Sequence, residues 1–292
     1  MTWTARPPFI LDLDGSVGQL AEDEIRRPLQ AWQETLRFGC GLSALERFEE
    51  RLNLPPDHGC LFLGSGDYHH LSLLPLRQLS RAGQKFDLVV CDNHPDNMRY
   101  PFGVHCGSWI RRAAQLAGVH HIHVLGITSG DIGWPHAWEN NLAPLLAGRL
   151  TYWSIGQGAP WLKLLGHPGR SRCLATADDL LAAFTAEQTG AGKIYLSIDK
   201  DVFGEEVVKT NWDQGLFEKK HLRRLIGACA GRLVGADVTG EISAYAYQGL
   251  FKRLLTRWED QAPPEPSLMA ARQRRQQDLN LEIMALLHSA GR

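Results

Sequence analysis

Apolar and polar residues alternate along this chain in blocks of two kinds. Short apolar runs are separated by longer segments in which apolar residues recur with helical spacing. Buried strands that alternate with helices are typical of a parallel sheet whose two faces are both covered. We therefore predict an α/β fold. The predicted strands are 9–13, 60–63, 88–91, 122–127, 150–154, 193–198 and 233–238, and the predicted helices are 22–51 (interrupted at 39–41), 71–82, 108–116, 177–185, 218–230 and 267–288.

A Pro-rich segment at 261–266 interrupts this alternation near the end of the chain. We predict a single α/β domain over 1–260 and a C-terminal helical extension over 261–292. The helix of this extension is rich in Arg and Gln. We expect it to pack on the domain or on a partner subunit, and in the second case the protein would be a homo-oligomer.

Composition narrows the class of protein. The 292 residues are 44% hydrophobic and 22% charged, with a formal net charge of −1, so no electrostatic argument favours nucleic acid or an anionic membrane as a partner. No apolar run approaches the ~20 residues of a membrane span, and the first residues do not resemble a signal peptide. The six cysteines form no C-x-x-C pair, which argues against a zinc ribbon or a disulfide framework. We expect a cytoplasmic enzyme with a small-molecule substrate.

Three potential metal ligands follow the apolar run 86–91. They are Asp92, His94 and Asp96, which alternate with Asn93 and Pro95. Residues at i, i+2 and i+4 of an extended chain point to the same side, so these three side chains can approach one point at the carboxyl end of a strand. A divalent cation would offset the cost of packing such groups together.

Further polar clusters follow three other predicted strands. Asp199 and Asp201 directly follow the apolar run 193–198. Asp67, His69 and His70 follow the Gly-rich segment at the end of the strand at 60–63. Ligand sites in open parallel sheets collect at the carboxyl ends of the strands. The last predicted strand contains Asp237, which we interpret as structural, and is followed by Glu241, a candidate ligand or substrate-binding carboxylate.

The candidate ligands offer more oxygen than nitrogen and no sulfur. Such a set suits Mn²⁺ better than structural zinc. Four carboxylates around one divalent ion would overcharge the site, so two ions about 3.5–4 Å apart and bridged by a carboxylate balance the charge better.

In this order, the four clusters resemble the motifs of the ureohydrolase superfamily, the arginases, agmatinases and their relatives. The family motifs G-G-D-H, D-A-H-x-D, S-x-D-x-D and D-x-x-E are similar to the segments 66–69, 92–96, 197–201 and 237–241. The resemblance covers roughly residues 60 to 245 and implies a three-layer α/β/α sandwich with a mostly parallel central sheet. It also implies a two-Mn²⁺ site with these ligands: His69, Asp92, His94, Asp96, Asp199 and Asp201.

The resemblance implies hydrolysis of a C–N bond in a guanidino, amidine or amide substrate. Hydroxide that bridges two metal ions would attack the planar carbon, and His105, which lies in an H-x-G context, would carry the proton to the leaving amine. Glu241 would inherit the role of binding the guanidinium group. The alternative interpretation of His105 is a helix-capping residue before Ser108.

Departures from the family pattern leave several interpretations open. Tyr68 separates Asp67 from the two histidines, so Asp67, His69 or His70 could be the ligand of the first motif, and we select His69. The run D-L-D-G-S from Asp12 is similar to the nucleophile motif of haloacid dehalogenase-like phosphatases. Two further interpretations are a single-zinc deacetylase-like amidohydrolase and a non-catalytic family member.

Overall fold

A parallel sheet of nine strands organises the described residues, which are 3–188, 190, 192–250, 252–253 and 265–291 of the computed structural model. The strands are β1 (Phe9–Asp12), β2 (Ile25–Pro28), β3 (Gly39–Cys40), β4 (Leu61–Ser65), β5 (Phe86–Cys91), β6 (Val104–His105), β7 (Val119–Ile127), β8 (Leu150–Ile155), β9 (Ser171–Leu174), β10 (Ile194–Asp199) and β11 (Leu233–Glu241). The order across the sheet is β2-β1-β4-β11-β10-β5-β7-β8-β9, and each neighbouring pair is parallel. The short strands β3 and β6 form a separate antiparallel pair.

Helices connect the strands and cover both faces of the sheet. The α-helices are α1 (Gln33–Leu36), α2 (Leu42–Leu52), α3 (Leu73–Arg81), α4 (Ile110–Ala113), α5 (Leu142–Leu146), α6 (Trp161–Leu164), α7 (Ala177–Glu187), α8 (Lys219–Ala228) and α9 (Pro266–Ala290). The 3-10 helices are Trp3–Ala5, Gln30–Trp32, Gly66–Ser72, Cys106–Ser108, Gly130–Ile132, Trp134–Glu139, Pro168–Arg170 and Lys200–Val202. Among the described residues, no helix has the length and apolarity needed to cross a membrane.

Two apolar cores lie on opposite faces of the sheet. Successive strand residues alternate between them: Leu88 and Val90 belong to the core that includes α2 and α3, whereas Val89 and Cys91 belong to the core that includes α7, α8 and α9. This alternation follows from the period-two geometry of a strand. The structure is therefore a three-layer α/β/α sandwich, and the predicted fold class is confirmed.

Several predicted elements have other bounds or another type. The helix predicted over 22–51 is wrong in its first part, because Ile25–Pro28 is the edge strand β2 and only 42–52 forms a long helix. Two arginines and a proline give β2 no apolar run, which is typical of a protected sheet edge. Strand β9 is a second edge strand that the pattern did not predict. Strand β11 continues past the predicted end at 238 and includes Glu241.

The C-terminal helix α9 is an integral part of the second core. Leu279, Ile283 and Leu287 are buried there, and each contributes roughly 1.5–3 kcal/mol relative to an exposed position. Glu282 of the same helix forms ion pairs with Lys219 and Arg223 of α8. The predicted domain boundary between 260 and 261 lies outside the described residues.

Candidate metal centre

Four adjacent strands deliver the polar clusters to one edge of the sheet. Strands β4, β11, β10 and β5 are neighbours at its centre and run in the same direction. Their carboxyl ends therefore meet, and the strand ends together with the segments that follow them carry the side chains that the sequence singled out. The central position explains why these side chains are almost all buried.

The first ligand set consists of His69, Asp92 and Asp96, whose potential ligand atoms all lie within 4.8 Å of one another. Nδ1 of His69 lies 3.2 Å from Oδ2 of Asp92 and 2.9 Å from Oδ2 of Asp96. Asp96 adopts a left-handed backbone conformation with φ of 47°. Its carboxylate is held in place by the indole N–H of Trp109, which donates to Oδ2 at 2.6 Å.

The second ligand set consists of Asp92, His94 and Asp201. Nδ1 of His94 lies 3.0 Å from Oδ2 of Asp201 and 3.6 Å from Oδ1 of Asp92. The backbone N–H of Asn93 donates to the other oxygen of Asp201 at 3.0 Å. Asp92 therefore belongs to both sets, with Oδ2 facing the first and Oδ1 facing the second.

Asp199 lies at the border of the first ligand set. Its Oδ2 is 3.4 Å from Nδ1 of His69, and its Oδ1 accepts a hydrogen bond from the backbone N–H of Asp201. The structure thus brings all six predicted ligands into one cluster, five of them within the two ligand sets. Their binding of a metal remains a prediction.

A buried hydrogen-bond chain fixes the ring of His69. The hydroxyl of Ser197 donates to Asp237 at 2.6 Å, so its oxygen accepts from Nε2–H of His69 at 2.9 Å. Tyr195 donates to the other oxygen of Asp237 at 2.8 Å. The hydrogen-bond chain keeps a proton on Nε2 of His69 and directs Nδ1 at the carboxylates. Burial opposes protonation of the ring, but Asp92 and Asp96 raise its pKa well above the ordinary value, so a metal ion would replace a proton on Nδ1. Asp237 thus has the structural role expected of it.

His94 is oriented in the same way by Asp213. Nε2 of His94 donates to Oδ1 of Asp213 at 2.8 Å, which leaves Nδ1 to face the second ligand set. Asn93 donates to the other oxygen of Asp213 at 3.0 Å. The residue pattern does not single out Asp213. It lies in the irregular loop 203–218, and its approach to His94 depends on tertiary folding that no residue spacing encodes.

The electrostatics of the cluster fit a bound cation. Burial, and then the charge of Asp92, raises the pKa of both Asp96 and Asp201 to about 7. Burial and the neighbouring Asp201 raise the pKa of Asp199 well above its ordinary value. Nδ1 of His69 and Oδ2 of Asp92 are buried and make no hydrogen bond of acceptable geometry within the described part of the chain. Positive charge placed between these atoms would remove the like-charge repulsion and give the two orphaned atoms a partner.

The other candidates of the first motif belong to neither ligand set. Asp67 forms an ion pair with the buried Arg37, whose Nε lies 2.7 Å from Oδ2. His70 is fully buried, neither ring nitrogen has a hydrogen-bond partner in the described structure, and burial lowers its pKa well below the ordinary value. The geometry therefore favours His69 over Asp67 and His70.

His105 has the contacts of a capping residue. Its Nδ1 accepts from the backbone N–H of Gly107 at 3.0 Å, and the backbone N–H of His105 donates to the hydroxyl of Ser108. The ring stacks on Phe38, with a centroid distance of 5.6 Å. Phe38 in turn stacks on Trp212, whose ring contacts His94. Burial lowers the pKa of His105 to about 4, so the ring is neutral near pH 7. Its predicted proton-shuttling role is not tested by this geometry.

Glu241 is enclosed by partners from inside the protein. It is 2% exposed, and its Oε1 accepts from Nζ of Lys200 and from the amide of Asn280. The residue pattern assigns no role to Lys200 or Asn280. Oε2 of Glu241 is buried and has no hydrogen-bond partner within the described residues. The substrate-binding role expected of Glu241 remains a prediction.

The phosphatase interpretation finds no matching arrangement around Asp12. Its carboxylate accepts from Gln30 and from the backbone of Gly15, and lies 3.9 Å from Arg26. No lysine is among these described contacts. Such a phosphatase also needs a later acidic motif. The candidate Asp178 lies in the first turn of α7, whose N-cap is Thr176, and acidic residues are common at that place in a helix.

Comparisons of the sequence give a relative but no function. No family model matches the chain. An uncharacterized protein from Thermotoga maritima is 29% identical over 199 residues, which are 67% of this chain. The match spans 64% of the length of that relative, so the chain is compared with only part of it.

Comparisons of the structure show the fold. Proclavaminate amidino hydrolase from Streptomyces clavuligerus matches with a TM-score of 0.54 at 14% identity, covering 99% of this chain and 97% of that one. Formimidoylglutamase from Bacillus subtilis matches with a TM-score of 0.53 at 10% identity, covering 97% and 86%. Formiminoglutamase from Trypanosoma cruzi, solved with Mn²⁺, matches with a TM-score of 0.50 at 12% identity, covering 86% and 72%. The chain therefore shares the fold of these proteins at low sequence identity, and the fold that the motif resemblance implied is confirmed.

Proposed function

We propose that this chain, which has the ureohydrolase fold, is a metal-dependent hydrolase of a C–N bond in a guanidino, amidine or amide substrate. The observation that carries the proposal is the carboxylate of Asp92, which lies between two ligand sets and belongs to both. A carboxylate in this position can bridge two ions. One mononuclear site would need only one of the two sets.

The chemistry of the donors indicates the kind of ion. The two sets together offer two imidazoles and three carboxylates, with Asp199 as a further carboxylate at the border. Oxygen-rich sets without sulfur suit Mn²⁺, and we propose two Mn²⁺ ions. When bound, they would lower the pKa of a shared water molecule and so supply hydroxide near neutral pH.

The protein's own residues would orient the ligands and admit the substrate. Asp237 acts through Ser197 to keep a proton on Nε2 of His69, and Asp213 accepts from Nε2 of His94, so Nδ1 of each ring is directed at the ligand sets. The side chain of His94 is 17% exposed and that of Asp213 is 66% exposed, whereas the first ligand set is buried. We therefore propose that the substrate enters on the side of His94, next to Trp212.

The substrate class rests on two kinds of support. The four motifs resemble those of the ureohydrolases, and the structural neighbours include an amidino hydrolase and two formiminoglutamase-type proteins. We keep guanidino, amidine and amide compounds in the proposal, because the enclosed Glu241 gives no specific support for a guanidinium group. A small-molecule substrate and a cytoplasmic location are part of the same proposal.

The proposal is tested by metal analysis joined to an assay for urea or ammonia release. The metal-free protein would be loaded with Mn²⁺ and assayed over a panel of guanidino, amidine and amide compounds. We expect turnover of at least one class, and its loss in Asp92→Asn. Asp178→Asn is the matched control, because Asp178 is exposed at the start of α7 and should leave turnover unchanged. In the active protein, His105→Asn should lower kcat without changing metal content if His105 carries the proton.

The competing functions give different results in the same experiment. Two bound Mn²⁺ with no turnover of any compound would contradict the hydrolase and favour a non-catalytic role. One zinc per chain with amide hydrolysis would favour a deacetylase-like amidohydrolase. Phosphatase activity that Asp12→Asn abolishes would favour a haloacid dehalogenase-like phosphatase.

A further inference from the structure

We infer that Lys200, Glu241 and Asn280 form a buried clamp that positions the ligands Asp199 and Asp201, and that the C-terminal helix is thereby part of the metal centre. We call these three residues the Lys200 clamp. The inference rests on the proposed function only in treating Asp199 and Asp201 as metal ligands.

The three side chains of the Lys200 clamp contact one another in a closed arrangement. Nζ of Lys200 donates to Oε1 of Glu241 and to Oδ1 of Asn280, the latter at 3.1 Å. The amide of Asn280 donates to the same oxygen of Glu241 at 2.7 Å. Lys200 and Asn280 are 0% exposed and Glu241 is 2% exposed, so water does not satisfy these groups.

Stability alone does not account for this buried pair. Lys and Glu are rarely fully buried, because removing a charge from water costs several kcal/mol per ion. Apolar side chains of similar volume often replace such a pair without loss of stability. Removing one partner alone is strongly destabilising, since the other charge is left uncompensated. The pair therefore fixes a geometry more than it adds stability.

The Lys200–Glu241 pair fixes the conformation of the turn that joins Asp199 to Asp201. Lys200 lies between Asp199 and Asp201 in the chain, and its side chain reaches Glu241 while theirs face His69 and His94. Strand β11 packs closely against this turn at Gly240. A Cβ atom at Gly240 would lie 2.5 Å from Oδ1 of Asp199 and 2.7 Å from the backbone nitrogen of Lys200. The anchored lysine and the close strand leave the turn little freedom to move.

Helix α9 closes the clamp with two amide side chains one helical turn apart. Asn280 contacts Lys200 and Glu241, while Gln276 is 0% exposed and accepts from the backbone N–H of Ile242 at 2.6 Å. The amide of Gln276 also donates to the carbonyl of Gly240 at 2.9 Å. Residues four apart lie on the same helix face. One face of α9 thus holds both the end of β11 and the lysine of the ligand turn.

A double-mutant cycle read out by Mn²⁺ affinity tests the inference. Each variant would be made in the full chain, checked for folding by circular dichroism, and titrated with Mn²⁺ well below its Tm. Lys200→Met and Glu241→Gln each leave one partner unsatisfied, and we expect each to weaken Mn²⁺ binding at least tenfold. The double variant K200M/E241Q contains no unpaired charge and should recover affinity to within about threefold of the wild type. Asn280→Ala, a milder change, should weaken binding in the same direction.

Leu287→Ala is the matched control for destabilisation. Leu287 is a buried residue of α9, two helical turns beyond Asn280, and its truncation lowers stability without touching the Lys200 clamp. We expect its Mn²⁺ affinity to equal that of the wild type. The inference is overturned if the folded single variants bind Mn²⁺ within twofold of the wild type, if the double variant is as weak as the singles, or if Leu287→Ala weakens binding as much. Absence of metal binding by the wild type would instead contradict the proposed function.

Discussion

At the scale of single residues, the two oxygens of Asp92 have different neighbours. Oδ2 faces His69 and Oδ1 faces His94. His69 and His94 together hold the pKa of Asp92 below its ordinary value against the opposing effect of burial, so this carboxylate is ionised. Every other member of the two ligand sets belongs to one set only.

Because Asp92 alone belongs to both ligand sets, its substitution should change the number of bound metal ions more than that of any other member. We expect Asp92→Asn to lose both ions, because the amide supplies no charge to either ligand set. Asp96→Asn should retain the ion of the second set and bind about half as much metal as the wild type. Elemental analysis after removal of free metal measures both. Equal metal content in the two variants would contradict the shared role of Asp92.

The carboxylates predict a pH dependence of metal binding. In the metal-free protein the pKa of both Asp96 and Asp201 is raised to about 7, so both take up protons as the pH falls below 7. A metal ion must displace these protons, and its affinity should fall by about tenfold per pH unit for each proton displaced. Calorimetric titration with Mn²⁺ between pH 5.5 and 7.5 measures this slope. Asp96→Asn, which is expected to keep only the ion of the second set, should show a smaller slope because Asp96 no longer titrates. A pH-independent affinity of the wild type would contradict this prediction.

The clustering of the candidate ligands was predictable from the sequence, but the residues that orient them were less so. Asp92, His94 and Asp96 alternate directly after a strand, and that spacing carries the signal. The sequence left Asp67 and His70 as alternatives to His69. The ion pair of Asp67 with Arg37, which argues against Asp67, forms only in the folded protein. Asp213 was not predicted as a partner of His94, because the two residues are far apart in sequence and meet only in the folded protein.

At the scale of elements, the apolar runs predicted the central strands well. Strands β4, β5, β10 and β11 are covered on both faces, so they read as continuous apolar runs. Edge strand β2 has no such run and was predicted as helix. The helix predicted over 108–116 contains only the four residues of α4, because a 3-10 helix capped by His105 precedes it.

Strand β7 carries a buried histidine that predicts a pH dependence of stability. Burial, and then His121 and Arg170, lowers the pKa of His123 to about 3. Trp153 donates to its Nδ1 at 3.2 Å, and Gln188 contacts its Nε2 at 3.2 Å. Because the unfolded chain binds this proton at an ordinary pKa near 6.5, the stabilisation is complete above pH 6.5 and is lost as the pH falls towards 3.

Comparison with His123→Gln isolates this contribution. Between pH 6 and pH 5, the free energy of unfolding of the wild type should fall relative to that of the variant by about 1.4 kcal/mol per pH unit. Urea unfolding at several pH values provides the measurement, and taking the difference between the two proteins removes the titration of the carboxylates. A difference that does not change with pH would show that His123 is protonated equally in the folded and unfolded states.

At the scale of the whole molecule, the fold class was predictable and the contribution of the C-terminal helix was not. The alternation of apolar strands and helices predicts a parallel sheet covered on both faces, and the sandwich follows from it. The Arg- and Gln-rich sequence of α9 resembles that of a surface helix. Its buried Gln276 and Asn280 are visible only once the helix is seen to cross the end of β11.

The number of Mn²⁺ ions that the wild-type chain binds is the most direct test of a two-metal centre. Metal-free protein would be titrated with Mn²⁺ by calorimetry near neutral pH, and the bound metal confirmed by elemental analysis. We expect two Mn²⁺ per chain, because two ligand sets share the carboxylate of Asp92. One Mn²⁺ per chain, or none, would contradict a two-metal centre.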